Sequence, residues 1–161
     1  MSVRPATEAS LEVVIRECLP QPYLGKRFRT LTTEEVGRGV QHGYAELFAK
    51  LAASGVAPVA PPFLIASQPQ GGAMDIELGV PCAAPPAGGA LFAGTLPGGG
   101  AAVTTYRGPY GAIGPTYEAL STWILANGHT MAGPPREVYL TGPQEVASPD
   151  EQVTEIVWPI G

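Results

Sequence analysis

"GAIGPTYEALSTWILANG", residues 111–128, reads as one amphipathic helix. Tyr117, Leu120 and Ile124 recur at helical spacing. Pro115 falls in the first turn, where its missing amide costs nothing, and Gly128 supplies a stop. An earlier stretch, "TTEEVGRGVQHGYAELFAKLAASG" at residues 32–55, reads the same way. Thr32 and Glu35 have capping-box spacing, Tyr44, Leu47, Phe48 and Leu51 form the apolar stripe, and Gly55 ends it. Gly37, Gly39 and Gly43 leave the start of this first helix open.

Laid on one another with a shift of 73, the two stretches match Tyr44 to Tyr117, Leu47 to Leu120, Leu51 to Ile124 and Gly55 to Gly128. The match continues outward: Pro61-Pro62 falls on Pro134-Pro135, and each pair precedes a short strand, "FLIAS" from Phe63 and "REVYL" from Arg136. A further strand follows in each half, "MDIELGVP" from Met74 and "QVTEIVWP" from Gln152. There the shift is 78, placing Glu77 on Glu155 and Pro81 on Pro159. "LEVVIRECL" and "YLGKRFRTL" open the first half, and "AAVTTYRG" opens the second. The pattern is a duplicated β-α-β-β unit of class α+β, with modules at about 12–82 and 101–160 in a single domain. Residues 83–100, rich in Gly, Pro and Ala, form the connector, with a short strand expected at Ala90–Phe92. Gly98–Gly100 lacks the Lys-Ser/Thr ending of a phosphate loop and is read as a tight turn.

Composition removes several functional classes. A net charge of -5 opposes nucleic-acid binding, which needs a basic face. Arg4, Glu8 and Glu12 interrupt the opening residues, so no signal peptide is read, and no stretch is long enough to cross a bilayer; a cytoplasmic protein is expected. Cys18 and Cys82 make no CxxC pair and are read as packing residues. His42 and His129 are isolated, so no metal site is expected. No GxSxG elbow, Cys–His signature or dinucleotide fingerprint occurs.

The carboxylates on the later strands carry what functional signal there is. By strand parity Glu137 and Tyr139 share a face, as do Ile156 and Trp158. Taking the apolar pairs Val138/Leu140 and Ile156/Trp158 as the helix-facing sides leaves Glu137, Tyr139 and Glu155 together on the other side. That side is either solvated surface or a cleft; parity alone does not choose.

"YRGPYGAIGPTYEALSTWI", "REVYL" and "TEIVWPI", set in a duplicated β-α-β-β unit, resemble the GyrI-like family. This is the effector-binding fold also found in multidrug-responsive activators of the AraC and MerR types. The resemblance covers nearly the whole chain and is densest from Tyr106 to Ile160. It implies SHS2-like modules related by a pseudo-twofold axis. Their strands would join in a curved antiparallel sheet, with two helices on one side and a ligand cleft on the other. It implies acidic pocket residues at Glu137 and Glu155, with Tyr110, Trp123 and Tyr139 as aromatic candidates; core packing is the alternative reading of Trp123. It implies no metal or cofactor. About ten residues precede the first strand, too few for a DNA-binding helix-turn-helix, so a stand-alone member is expected.

The resemblance therefore implies a binder of a small organic ligand that is planar, amphipathic and often cationic, for sequestration or sensing. Aromatic faces and a carboxylate suit such compounds. The alternative is a hydrolase opening cyclopropane rings of DNA-alkylating natural products, with Glu137, Glu155 and Tyr139 as catalytic residues. A second alternative is a protein partner, DNA gyrase, inhibited by contact.

Overall fold

The computed structural model describes residues 11–67, 73–141 and 147–161. Arg4 and Glu8 lie outside the described residues, as does part of the connection before each last strand of the repeat. The chain divides into two compact units: Leu19–Gly98, and the segment ending at Cys18 together with Gly99–Gly161.

The first unit contains β2 (Gln21–Thr30), α1 (Thr33–Ala53), β3 (Phe63–Ser67), β4 (Met74–Pro81) and β5 (Phe92–Leu96). The second contains β1 (Val13–Cys18), β6 (Gly99–Arg107), α2 (Gly114–Ala126), β7 (Arg136–Tyr139) and β8 (Val153–Pro159). All pairings within each unit are antiparallel, and the order is the same in both. β5 pairs with β2, β2 with β4 and β4 with β3. Likewise β1 pairs with β6, β6 with β8 and β8 with β7.

The duplication holds to the residue. Glu77 lies across from Arg27 on β2 and Ile65 on β3. Glu155 lies across from Thr105 on β6 and Val138 on β7. Gly55 and Gly128, which follow the two helices, both take the left-handed conformation, with φ of 68° and 81°. Glycine reaches that region without steric penalty, which is why it stands at both stops.

The outer strands are exchanged along the chain. β1 precedes β2 but pairs with β6, and β5 precedes β6 but pairs with β2. The links explain this. Leu19-Pro20 and Pro97-Gly98 each leave two residues between successive strands. A two-residue hairpin needs a positive φ at its first central position. Proline is fixed near −65°, and among the described residues no non-glycine has positive φ. Pro97 at the first central position bars the hairpin in the second link, and in both links the strand runs on to another partner. The strand expected at Ala90–Phe92 lies slightly later, at Phe92–Leu96.

Helix α1 starts as its sequence suggests. Thr32 Oγ1 accepts from the Glu35 amide at 3.2 Å, and Glu35 Oε2 accepts from the Leu31 amide at 3.0 Å. Gly39 and Gly43 do not shorten the helix. A methyl group at either would overlap Phe28 or Leu78, so these glycines let α1 approach β2 and β4 closely. Leu47 and Leu51 are buried in the first unit, and Leu120 and Ile124 at the matching places of α2. Each such side chain contributes roughly 1.5–3 kcal/mol. In the second unit Leu120 and Ile124 pack with Ala102, Ile113 and Ile156, which fixes the helix-facing side of β6 and β8. Among the described residues no helix is long and apolar enough to cross a membrane.

Candidate functional site

The register of the second unit decides where the carboxylates go. Glu137 lies directly across from Ile156, and Tyr139 across from Thr154. Directly opposed residues project from the same face of a sheet. Ile156 belongs to the helix-facing core, so Glu137 and Tyr139 face α2. Glu155 lies across from Val138 and faces the other way. The parity reading that grouped Glu137, Tyr139 and Glu155 on one side is therefore corrected, as is the placing of Val138 toward the helix. Parity within each strand was sound. What parity lacked was the register between strands, and the assumption that β7 turns its apolar side to the helix failed because a polar side there finds partners.

Those partners are tyrosines. Tyr117, on α2, donates to Glu137 Oε2 at 2.8 Å, and Tyr139 donates to Glu137 Oε1 at 3.1 Å. Both carboxylate oxygens are thus engaged, which is what permits a half-buried charge on this face. Tyr110 adds its ring edge-on to Tyr139, with centroids 5.3 Å apart, and Trp158 lies edge-on to Tyr117 at 6.2 Å. Tyr110 opens a short 3₁₀ turn, Tyr110–Ala112. The turn is held because Tyr106 Oη donates to the Pro109 carbonyl at 2.6 Å.

Burial, reinforced by the Glu137 charge, keeps the Tyr117 phenol well above its ordinary range. Burial first, and Glu137 second, also raise Tyr110. At neutral pH both phenols keep their protons, and Tyr117 donates its own to Glu137. The cluster is one carboxylate set among aromatic rings.

Glu155 is differently placed. Its carboxylate takes both nitrogens of Arg16, at 2.8 and 3.0 Å. A cavity of about 580 Å³ is lined by this pair with Val14, Val103 and Thr105 among others; among the described residues Glu137 is not part of its lining. Within that lining Arg16 and Glu155 are paired with each other. A reaction in which Glu137 and Glu155 act together on one substrate is not assembled, because they project from opposite faces. Trp123 lies at the margin of the core cluster and stacks on His129 at 6.2 Å. Among the described residues no three of His, Cys, Asp and Glu gather as a ligand set.

The structure thus brings Glu137, Tyr139 and Tyr110 together and adds Tyr117, which helical spacing had assigned to packing. Comparing the repeats column by column would have exposed the cluster. Glu137 stands where the first unit has Leu64, and Tyr139 where it has Ala66.

The model of the GyrI-like small molecule binding domain matches residues 11–161. The chain belongs to the GyrI-like family. No curated protein sequence matches it. Among solved structures, EcmrR in a complex with DNA superposes with a TM-score of 0.81 at 21% identity, covering 93% of this chain and 57% of that one. This GyrI-like chain thus spans little more than half of EcmrR. The separate C-terminal domain of EcmrR gives 0.77 at 20% identity, over 94% and 98% of the two chains. SAV2435 bound to tetraphenylphosphonium gives 0.61 at 14% identity, over 93% and 94%. A hydrolase from Listeria innocua gives 0.65 at 11% identity, over 93% and 92%. At these identities the GyrI-like fold is what is shared.

Proposed function

We propose that this GyrI-like protein binds planar or multi-ring organic cations at Glu137 and returns them unchanged, as a sequestering or sensing protein. The observation that carries this reading is Glu137 itself: a carboxylate on the helix-facing side, held by two tyrosine hydroxyls and walled by aromatic rings. The GyrI-like family description supports a small organic ligand, and the tetraphenylphosphonium bound to SAV2435 supports a cationic one.

The test is a titration of the full chain with tetraphenylphosphonium and N-methylacridinium, followed by tryptophan fluorescence. Binding in the micromolar range is expected. Glu137→Gln should weaken both cations by roughly 5- to 150-fold, the worth of about 1–3 kcal/mol for a charged group left unmatched. A neutral analogue of the same shape should lose far less. Equal losses for charged and neutral compounds would remove Glu137 as the charge partner.

A further inference from the structure

The duplication supplies an internal control, because each residue of one unit can be compared with its counterpart in the other. On the helix-facing side of the first unit, Ile76 on β4 lies between Phe28 on β2 and Ala66 on β3. The whole row is apolar. In the second unit the same row is Tyr106, Thr154 and Tyr139. Every member now carries a hydroxyl, and Glu137 stands in the neighbouring row.

Two of the three hydroxyls have visible tasks. Tyr106 fixes the turn that carries Tyr110, and Tyr139 donates to Glu137. Thr154 is fully buried, and among the described residues its Oγ1 is the one buried side-chain polar atom without a hydrogen-bond partner. Leaving a hydroxyl unsatisfied in a core is unfavourable, and valine has nearly the same shape without that penalty. The first unit uses isoleucine at this place. Packing therefore does not account for a threonine here.

Its neighbour on β7 belongs to the Glu137 cluster. Tyr139 lies directly across from Thr154, is only half-buried, and ends the four-residue strand β7. Its bond to Glu137 is the longer of the two at that carboxylate, whose other oxygen stays with Tyr117.

Resting on the reading of Glu137 as a cation site, we propose that Thr154 is a specificity residue of that site. Once Tyr139 turns aside, its hydroxyl bonds an oxygen or nitrogen of the ligand while Glu137 holds the cationic centre. The ligand class is then an aromatic cation that also carries a hydroxyl, carbonyl or ring nitrogen away from its charge.

The test compares N-methylacridinium with its ring-hydroxylated isomers on the wild-type chain, Thr154→Val and Thr154→Ser. At least one isomer should bind the wild type about five- to tenfold more tightly than the parent, the worth of one hydrogen bond. Thr154→Val should abolish that preference while changing the parent's Kd by less than about twofold, and Thr154→Ser should keep it. A thermal melt of ligand-free Thr154→Val, expected no lower than wild type, establishes that it folds. A preference that survives in Thr154→Val overturns the proposal, as does the absence of any preferred isomer while the parent still binds through Glu137. If the parent cation fails to bind at all, the Glu137 reading falls and this one with it.

Discussion

Glu137 stands in the second repeat where Leu64 stands in the first: Leu64 lies across from Leu78 and Glu137 across from Ile156, on corresponding strands. One unit completes its apolar layer at this point and the other opens it to a charge. The bond from Tyr117 stabilises that exception. A double-mutant cycle with Glu137→Leu and Tyr117→Phe should therefore show coupling of about 1.5–3 kcal/mol in urea unfolding, as for a hydrogen bond to a charged group. Each single change strands a polar partner across the Tyr117–Glu137 bond, and the double change removes both ends of it. Strict additivity would mean that the Tyr117–Glu137 bond contributes nothing in solution.

Glu155 makes the opposite prediction for binding. It projects from the other face and is held by Arg16, whose side chain is 47% exposed. Glu155→Gln should leave the affinity for tetraphenylphosphonium within about twofold and cost about 1–3 kcal/mol of stability, because the Glu155 side chain is only 15% exposed and its loss leaves Arg16 without its carboxylate. Isothermal titration and chemical unfolding read the two effects separately. A loss of cation affinity comparable to that of Glu137→Gln would bring Glu155 back into the site.

The raised phenol of Tyr117 gives a pH dependence whose sign is fixed. An unfolded tyrosine ionises near pH 10. The folded ring ionises only at higher pH, so the stability gained is fully present below pH 10 and is lost as pH rises toward the folded value. Phenolate absorbance should show at least two tyrosines, Tyr117 and Tyr23, still neutral when exposed tyrosines have titrated, and Tyr117→Phe should flatten part of the fall of stability above about pH 10. If every tyrosine ionises together near pH 10, the site is open to water rather than packed as described.

Two glycine replacements should separate in sign. Gly37 lies in α1 with nothing within 4 Å of the place a Cβ would take, so Gly37→Ala should stabilise by about 0.5–1 kcal/mol through helix propensity. At Gly79 a methyl group would enter the ring of Phe63, which is 1% exposed and has no room to yield. Gly79→Ala should destabilise by at least the roughly 1–3 kcal/mol typical of overpacked cores. Thermal unfolding of both variants checks the pair.

The hydrolytic alternative has its own measurement. Tetraphenylphosphonium has no strained ring, so the informative compound is a cyclopropane-bearing alkylating agent. Mass spectrometry should recover it intact after incubation with catalytic amounts of protein between about pH 5 and 9, because Glu137 and Glu155 do not face one another across a substrate. Accumulation of a water adduct that depends on Glu137 would establish turnover instead.

The sequence by itself determined the repeated helices and their punctuation. The matched stripes of Leu47, Leu51, Leu120 and Ile124, the stops at Gly55 and Gly128, and the equivalence of Glu77 with Glu155 all rest on local spacing, and local spacing survives in a single chain. The exchange of β1 was not legible: "LEVVIRECL" reads as part of the first module, whereas β1 pairs with β6 of the second unit and β5 with β2 of the first. Only the tertiary structure decided which face Glu137 takes. β7 has four residues, Arg136–Tyr139, with no clean alternation, and a one-residue slip against β8 would send every side chain to the other side. The register is chosen by contacts distant in sequence, Ile156 packing under α2 and Tyr117 reaching down to the carboxylate. A polar strand face turns inward when partners are waiting there, and those partners become visible only once helix and strand are brought together.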